Sequence, residues 1–361
     1  MTKARQLADL GNAYDDGALS NRNLIINGSM TVNQRGQQTS VNNGYTVDRF
    51  YIRSGGSARF TTDKSSDVPS GEGFGSSLHI NVTTADTSVG TSDFGLLRHI
   101  FEGQDLQSVS KGSSNAKPVT LQFWIKSTVT GTYAVELYDE DNTRQVSQNY
   151  TVSAANTWEK KTLTFPADTV GAFDNDNNDS LYIQWGLSMG TNFTSGTLNT
   201  TWGSITSANR FSGQVNAFSS TSNNIYITGV QLEVGDTATP FEHRSYGDEL
   251  AKCQRYYQVF KEEGTATFGV AFAFSGNAAY DGSQQIFPVK MRAVPSRSTS
   301  GTWSTTDGTG SIIAITQFHG TTNSWGYQLG FSVASGLSQF RPYGIRALAN
   351  SGSQLKFDAE L

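Results

Sequence analysis

Six side chains of the 361-residue sequence carry most of its chemical information: Gln122, Trp124, Glu136, Tyr138, Tyr182 and Gln184. Each occupies the polar phase of a segment whose other phase is apolar. Aromatic rings stack on the apolar faces of sugars, and amides and carboxylates bond their hydroxyls, so this set has the composition of a glycan platform. The same residues would equally suit a surface buried under a loop, a second domain or a subunit mate. Trp303 and Trp325 lie in Gly-Thr-Ser-Asn loops and, with Tyr327, form a second candidate, because exposed loop aromatics mark binding surfaces unless they pack their own loop.

Cleavage of a glycosidic bond needs paired carboxylates, and the candidates are Glu136, Asp139, Glu140 and Asp141. Their bland alternative is a strand running into a solvated turn. No catalytic residue is nominated. The four histidines show no metal spacing, and no nucleophile elbow occurs. The single cysteine, Cys253, excludes an internal disulfide framework and a multi-thiolate zinc site, and reads as a buried apolar residue. In Asp174-Asn175-Asp176-Asn177-Asn178-Asp179, oxygens at Asp174, Asp176 and Asn178 alternate as a calcium loop requires. Asp179 stands where an EF-hand needs glycine, and Trp185 where it needs the bidentate glutamate, so a plain turn-rich loop is the other reading. No other cofactor is implied.

The elements that must position these groups are strands. In 119–127, Val119, Leu121, Phe123 and Ile125 alternate with Thr120, Gln122, Trp124 and Lys126. In 132–139, Tyr133, Val135 and Leu137 alternate with Ala134, Glu136 and Tyr138. In 181–187, Leu181, Ile183, Trp185 and Leu187 alternate with Tyr182, Gln184 and Gly186. Strict period-two alternation predicts half-buried antiparallel sheets. Charged residues make up only 16% of the chain, and 37 glycines and 21 phenylalanines favour turns and strands over helices. The fold expected is all-β: a jelly-roll β-sandwich over residues 20–246, followed by a second β-sandwich domain over 247–361. Two short helices accompany them. One lies in the first dozen residues; the other begins the second domain, with Ser245 three residues before Asp248 in a variant capping box. Residues 1–19 form a segment too short to hold a helix in water alone, so it docks or frays.

The formal net charge of −5, with scattered basic residues, gives no electrostatic footprint for nucleic acid. No apolar stretch approaches the length of a membrane-spanning helix, and the first ten residues do not read as a secretory signal.

Asn21-Arg22-Asn23-Leu24-Ile25-Ile26-Asn27-Gly28-Ser29-Met30, with Gln34-Arg35-Gly36 and Val47-Asp48-Arg49-Phe50, resembles the opening of many bacteriophage tail-fibre and virion-appendage proteins. Phe123-Trp124-Ile125-Lys126, Gln231-Leu232-Glu233-Val234-Gly235 and Pro240-Phe241-Glu242 resemble their carbohydrate-binding-module-like jelly roll. Glu249 to Tyr257, with Met291-Arg292-Ala293-Val294-Pro295, is similar to the tail region of the same group, and Lys3 to Gly11 to the lead segment of fibre-like proteins of marine and cyanobacterial phages. The resemblance implies a structural protein of the phage particle, most naturally of its tail. It implies a homo-oligomer, commonly a trimer, that adheres to host-surface polysaccharide and joins other tail or capsid proteins through Arg5, Leu7, Ala8 and Leu10. It implies binding without catalysis. A tail adaptor or capsid-decorating role, and a glycan depolymerase tailspike, are the alternatives.

Overall fold

Strands that alternate must bury one face, and in this protein two sheets bury theirs against each other. The computed structural model describes residue 3 and residues 21–261, 267–281, 284–309, 312–347 and 351–361. The N-terminal helix expected from sequence, with Arg5, Leu7, Ala8 and Leu10, lies outside the described residues. The chain is all-β and divides into two compact units, Met1–Glu249 and Leu250–Leu361.

The first unit is a jelly-roll sandwich. One sheet runs in the order β1 (Gln38–Val41), β4 (Arg59–Ser65), β5 (Ser77–Thr84), β13 (Asn224–Val234), β7 (Val119–Ser127) and β10 (Glu159–Phe165). The other runs β12 (Gly203–Ser204), β9 (Arg144–Val152), β8 (Gly131–Asp139), β11 (Asp179–Met189), β6 (Phe94–Glu102), β3 (Phe50–Ser54) and β2 (Asn43–Tyr45). The apolar phases predicted for β7, β8 and β11 meet in one core with Leu121, Phe123, Val135, Leu137, Ile183 and Trp185. Trp185 is almost wholly buried and stands edge-on to Phe123, with ring centroids 5.8 Å apart. Tyr133 stacks on Tyr150 at 5.6 Å and satisfies its hydroxyl on Val129 O and Ser127 Oγ.

The signatures near residues 21–30 and 231–249 converge in a clasp that closes the sandwich. Asn23 Oδ1 accepts from Ile25 N and Leu232 N, and Asn23 Nδ2 donates to Val230 O. The Asn23 backbone N–H donates to Glu242, and the Asn27 N–H to Glu249. Arg244 donates to the carbonyls of Asn23 and Ile25. Gly28 lies so close to Val230 that a Cβ would sit 2.1 Å from the Val230 carbonyl oxygen, which forbids any larger residue.

A buried ionic network closes the end of β8. Lys111 Nζ lies 2.5 Å from Asp139 Oδ2 and 3.1 Å from Asp168 Oδ2, and it donates to the carbonyls of Val170 and Gly171 at 2.9 and 2.7 Å. Arg144 makes a bidentate pair with Asp168 at 2.8 and 2.9 Å. Burial pushes the Asp168 carboxyl up, but the hydrogen bonds from Arg144 and Lys111 outweigh it and leave the group below the usual carboxylate range.

His99 occupies a core-facing position of β6, between Phe50 and Phe101 with centroids 5.0 and 4.8 Å away. Burial, then the positive charge of Arg49, hold it well below the ordinary histidine value. The folded state therefore keeps His99 neutral while the unfolded chain binds a proton below about pH 6.5. Stability is expected to fall as pH drops from 6.5 towards 5, by about 1.4 kcal/mol per unit. His99→Gln should flatten that slope in urea titrations; an unchanged slope in the variant would assign the acid sensitivity elsewhere.

The helix Tyr246–Gln254 begins as its sequence predicts, with Ser245 Oγ accepting from the Asp248 N–H at 3.2 Å and Asp248 accepting from the Ser245 hydroxyl at 2.7 Å. In the second unit the expected second sandwich is replaced by a barrel. β15 (Thr267–Ala273), β16 (Ala278–Asp281), β23 (Gly330–Val333), β20 (Ile313–His319), β19 (Trp303–Thr306) and β24 (Pro342–Ala347) close on one another. Two three-stranded sheets accompany it: β14 (Tyr257–Lys261), β25 (Gln354–Asp358) and β18 (Ser296–Ser300), and β17 (Gln285–Ile286), β22 (Gly326–Tyr327) and β21 (Thr322–Asn323). Ala271, Ala273, Ala279 and Ala347 are buried, and side chains this small let six short strands close around a narrow interior.

Candidate functional site

The outer face of the seven-stranded sheet carries a continuous cross-strand row. Ser147 of β9 is opposite Glu136 of β8, Glu136 opposite Gln184 of β11, and Gln184 opposite Arg98 of β6. Arg98 is opposite Tyr51 of β3, and Tyr51 opposite Tyr45 of β2. A second row beside it pairs Tyr138 with Tyr182. The face thus combines four tyrosines with hydrogen-bonding side chains.

Each group is held in place. Arg210 pairs bidentately with Glu136 at 2.8 and 2.6 Å and lies 5.5 Å from the Tyr138 ring centroid. Gln184 Nε2 donates to Glu136 Oε2 at 2.8 Å, which turns Gln184 Oε1 toward Arg98. Arg98 donates to that oxygen through Nε and Nη2 at 3.2 and 2.8 Å, and its guanidinium lies 4.5 Å from the Tyr182 centroid. Tyr138 and Tyr182 stand 5.7 Å apart, and Tyr45 meets Tyr51 edge-on at 5.0 Å. The Tyr182 hydroxyl donates to Asp179. Burial, then that bond, push the phenol far above its ordinary value; burial, then Glu140, also raise that of Tyr138. Both hydroxyl protons are retained across the physiological range.

Arg210 reaches Glu136 from a loop rather than from the sheet. The Ser207–Asn209 turn ends on it, and Phe211 and Gln214 lie over Gly186. A Cβ at Gly186 would fall 2.6 Å from Phe211 Cδ1 and 2.0 Å from Gln214 Oε1, so a larger residue would push this cover aside. The loop closes one end of the face, while Tyr138, Arg98, Tyr51 and Tyr45 remain half-buried and Arg53 exposed.

The structure separates the six residues grouped from sequence. Glu136, Tyr138, Tyr182 and Gln184 come together, but Gln122 and Trp124 belong to the opposite sheet, where β7 pairs with β13 and β10. Gln122 is covered by the clasp, its Nε2 donating to Thr239 O. Glu136 is wholly buried under Arg210 rather than open to a ligand. Trp303 and Tyr327 are core residues, not distal contacts. Trp303 packs on Phe318 at 5.2 Å and Tyr327 stacks on Phe357 at 4.6 Å. Trp325 is 60% exposed, with Lys290 Nζ 4.7 Å from its ring centroid.

The acidic loop closes on itself. Asp176 accepts from the backbone N–H and the side-chain amide of Asn178, and the Asp174 N–H donates to Asp141. Among the described residues no three His, Cys, Asp or Glu side chains converge as metal ligands. The interior cavity at the Lys111 end, between Val109, Leu137, Phe173 and Trp202, measures about 20 Å³, room for one water and far too small for a sugar.

Sequence reasoning missed Arg98, Arg210, Tyr51, Tyr45 and Arg53. Tyr51 and Arg53 alternate with Phe50 and Ile52, so their phase is a usable signal. Arg210 sits in a loop and gives none.

No protein-family model and no curated protein matches the sequence. Among solved structures, the chain is similar to the enzymatically active domain of tailspike protein 4 of bacteriophage CBA120, at 14% identity and a TM-score of 0.32. That match covers 59% of this chain and only 21% of the tailspike chain. It is similar to a family 11 carbohydrate-binding module from Clostridium thermocellum in complex with a β-1,3-1,4-mixed-linked tetrasaccharide, at 11% identity and a TM-score of 0.28, over 56% of this chain and 98% of that one. It is also similar to the module TmCBM61 in complex with β-1,4-galactotriose, at 10% identity and a TM-score of 0.30, over 59% and 99%.

Proposed function

We propose that the outer face of the seven-stranded sheet binds saccharide, and that the chain serves by contact, as the adhesive part of a phage appendage engaging host-surface glycan. One observation carries the saccharide reading. Tyr138, Tyr51 and Tyr45 stand half-buried with Arg98 across neighbouring strands, held before any ligand arrives, while the buried Tyr182 and Gln184 position that arginine. Rings of this kind take the apolar face of a pyranose, and the fixed donors take its hydroxyls. Preorganisation lowers the ordering cost of binding.

The appendage role is supported by the opening and clasp signatures, and several copies on one particle would turn weak contacts into firm adhesion. Binding without turnover is supported by the commitments of two of the four candidate carboxylates. Glu136 is held by Arg210 and Gln184, and Asp139 by Lys111, and both are fully buried.

The test is calorimetric titration of the full chain with an oligosaccharide panel, followed by Tyr138→Ala and Tyr51→Ala. Each variant is expected to weaken binding on the order of tenfold, about 1.4 kcal/mol, with an unchanged circular dichroism spectrum. Full affinity in both would remove the face from consideration, and release of reducing ends from any glycan would overturn the non-enzymatic part.

A further inference from the structure

The sheet face is polarised in charge. At one end Glu140 and Asp179 stand beside Tyr138 and Tyr182. Towards the other lies Arg53 on β3, over Phe94, and between them Arg98 on the adjacent β6 reaches back over the Tyr182 ring. Arg210 and Arg35 have carboxylate partners, Glu136 and Asp48. Arg98 and Arg53 are held differently. Arg98 spends two donors on the neutral amide oxygen of Gln184, and Arg53 lies 4.9 Å from the Phe94 ring centroid. Among the described residues no carboxylate forms an ion pair with either. Two guanidinium groups on neighbouring strands, neither in an ion pair with a carboxylate, repel each other, and the charge of Glu136 offsets this only in part at Arg98. Burial, and the positive charges of Arg53 and Arg210, depress the Arg98 guanidinium against the opposing effects of Tyr182 and Glu136.

We infer that this end of the face selects an acidic saccharide of the uronate class, its ring carboxylate received by Arg98 and Arg53 while the tyrosine end takes the neutral remainder of the chain. The inference rests on the saccharide-binding reading and gives it a ligand class. The Arg98 fork is preset: Glu136 fixes the Gln184 amide, and the amide together with the Tyr182 ring fixes the guanidinium plane. Gln184 takes the Nε–Nη2 edge, and the Nη1–Nη2 edge is left as the planar fork that matches a carboxylate bidentately. The acids at the far end repel a carboxylate placed there, which sets the direction of the bound chain.

The experiment compares the full chain on polygalacturonate, alginate and hyaluronate, each beside its methyl ester, with dextran sulfate as a polyanion of unrelated charge geometry. At least one polyuronate is expected to bind tenfold or more tighter than its ester. The difference should shrink as sodium chloride rises, and Arg53→Gln should bring the acid-to-ester ratio toward one. Equal affinity for acid and ester overturns the acidic preference while leaving saccharide binding intact. No binding to any of these polymers overturns both. Dextran sulfate bound as tightly as the best polyuronate reduces the effect to general polyanion attraction and overturns the carboxylate assignment.

Discussion

Lys111→Ala is expected to lower the unfolding free energy of the sandwich by about 3–5 kcal/mol. The ammonium group serves four oxygens, two from carboxylates and two from backbone carbonyls. Asp139 is 0% exposed at its side chain and Asp168 is 4% exposed. Removing the cation leaves Asp139 buried with, among the described residues, only the Asn142 amides to answer it. Asp168 keeps Arg144. Two carbonyls also lose their donor, and an unmet buried acceptor costs about 1–3 kcal/mol. The contrast is Lys161→Ala in the same unit, which breaks a single pair with Glu159 two residues along β10 and should cost no more than about 1 kcal/mol. Urea unfolding followed by tryptophan fluorescence reports the sandwich through Trp185. A Lys111→Ala loss no greater than that of Lys161→Ala would show that the network contributes nothing as a unit.

Arg210→Ala should damage both stability and ligand binding. Glu136 is wholly buried, and Arg210 supplies its only cation among the described residues. Stranding that charge costs about 3 kcal/mol or more. Gln184 is oriented by Glu136 and in turn orients Arg98, so disorder at Glu136 propagates along the row to the ligand-facing guanidinium. The companion variant Arg210→Ala with Glu136→Leu removes the stranded charge. It should recover most of the stability and none of the binding, because Gln184 and Arg98 lose their anchor. Recovery of both would reduce the row to a packing device.

The alternation of β7, β8 and β11 is enough to read the sandwich and its inner residues, since period two fixes which side chains share a face. It does not fix which strands are neighbours. That is why the pattern alone groups Gln122 and Trp124 with Glu136, Tyr138, Tyr182 and Gln184, although β7 lies in the other sheet. For the same reason the second unit reads as a sandwich: closure depends on partners such as β24, which pairs with both β15 and β19. Trp303 and Tyr327 sit in sequence among turn formers, yet the barrel and the small sheets fold those turns inward over Phe318 and Phe357. The arginines of the face are invisible for a different reason. Arg98 reads as a polar residue in an apolar strand, and only register shows that Gln184 stands beside it.

The clasp has a mechanical meaning. Asn23 and Asn27 at the start of the sandwich are bonded directly to Glu242, Arg244 and Glu249 at its end. A pull applied between the two ends of this unit loads those few bonds first and leaves the sheets slack. The tyrosine face would therefore keep its shape under tension until the clasp itself gives way.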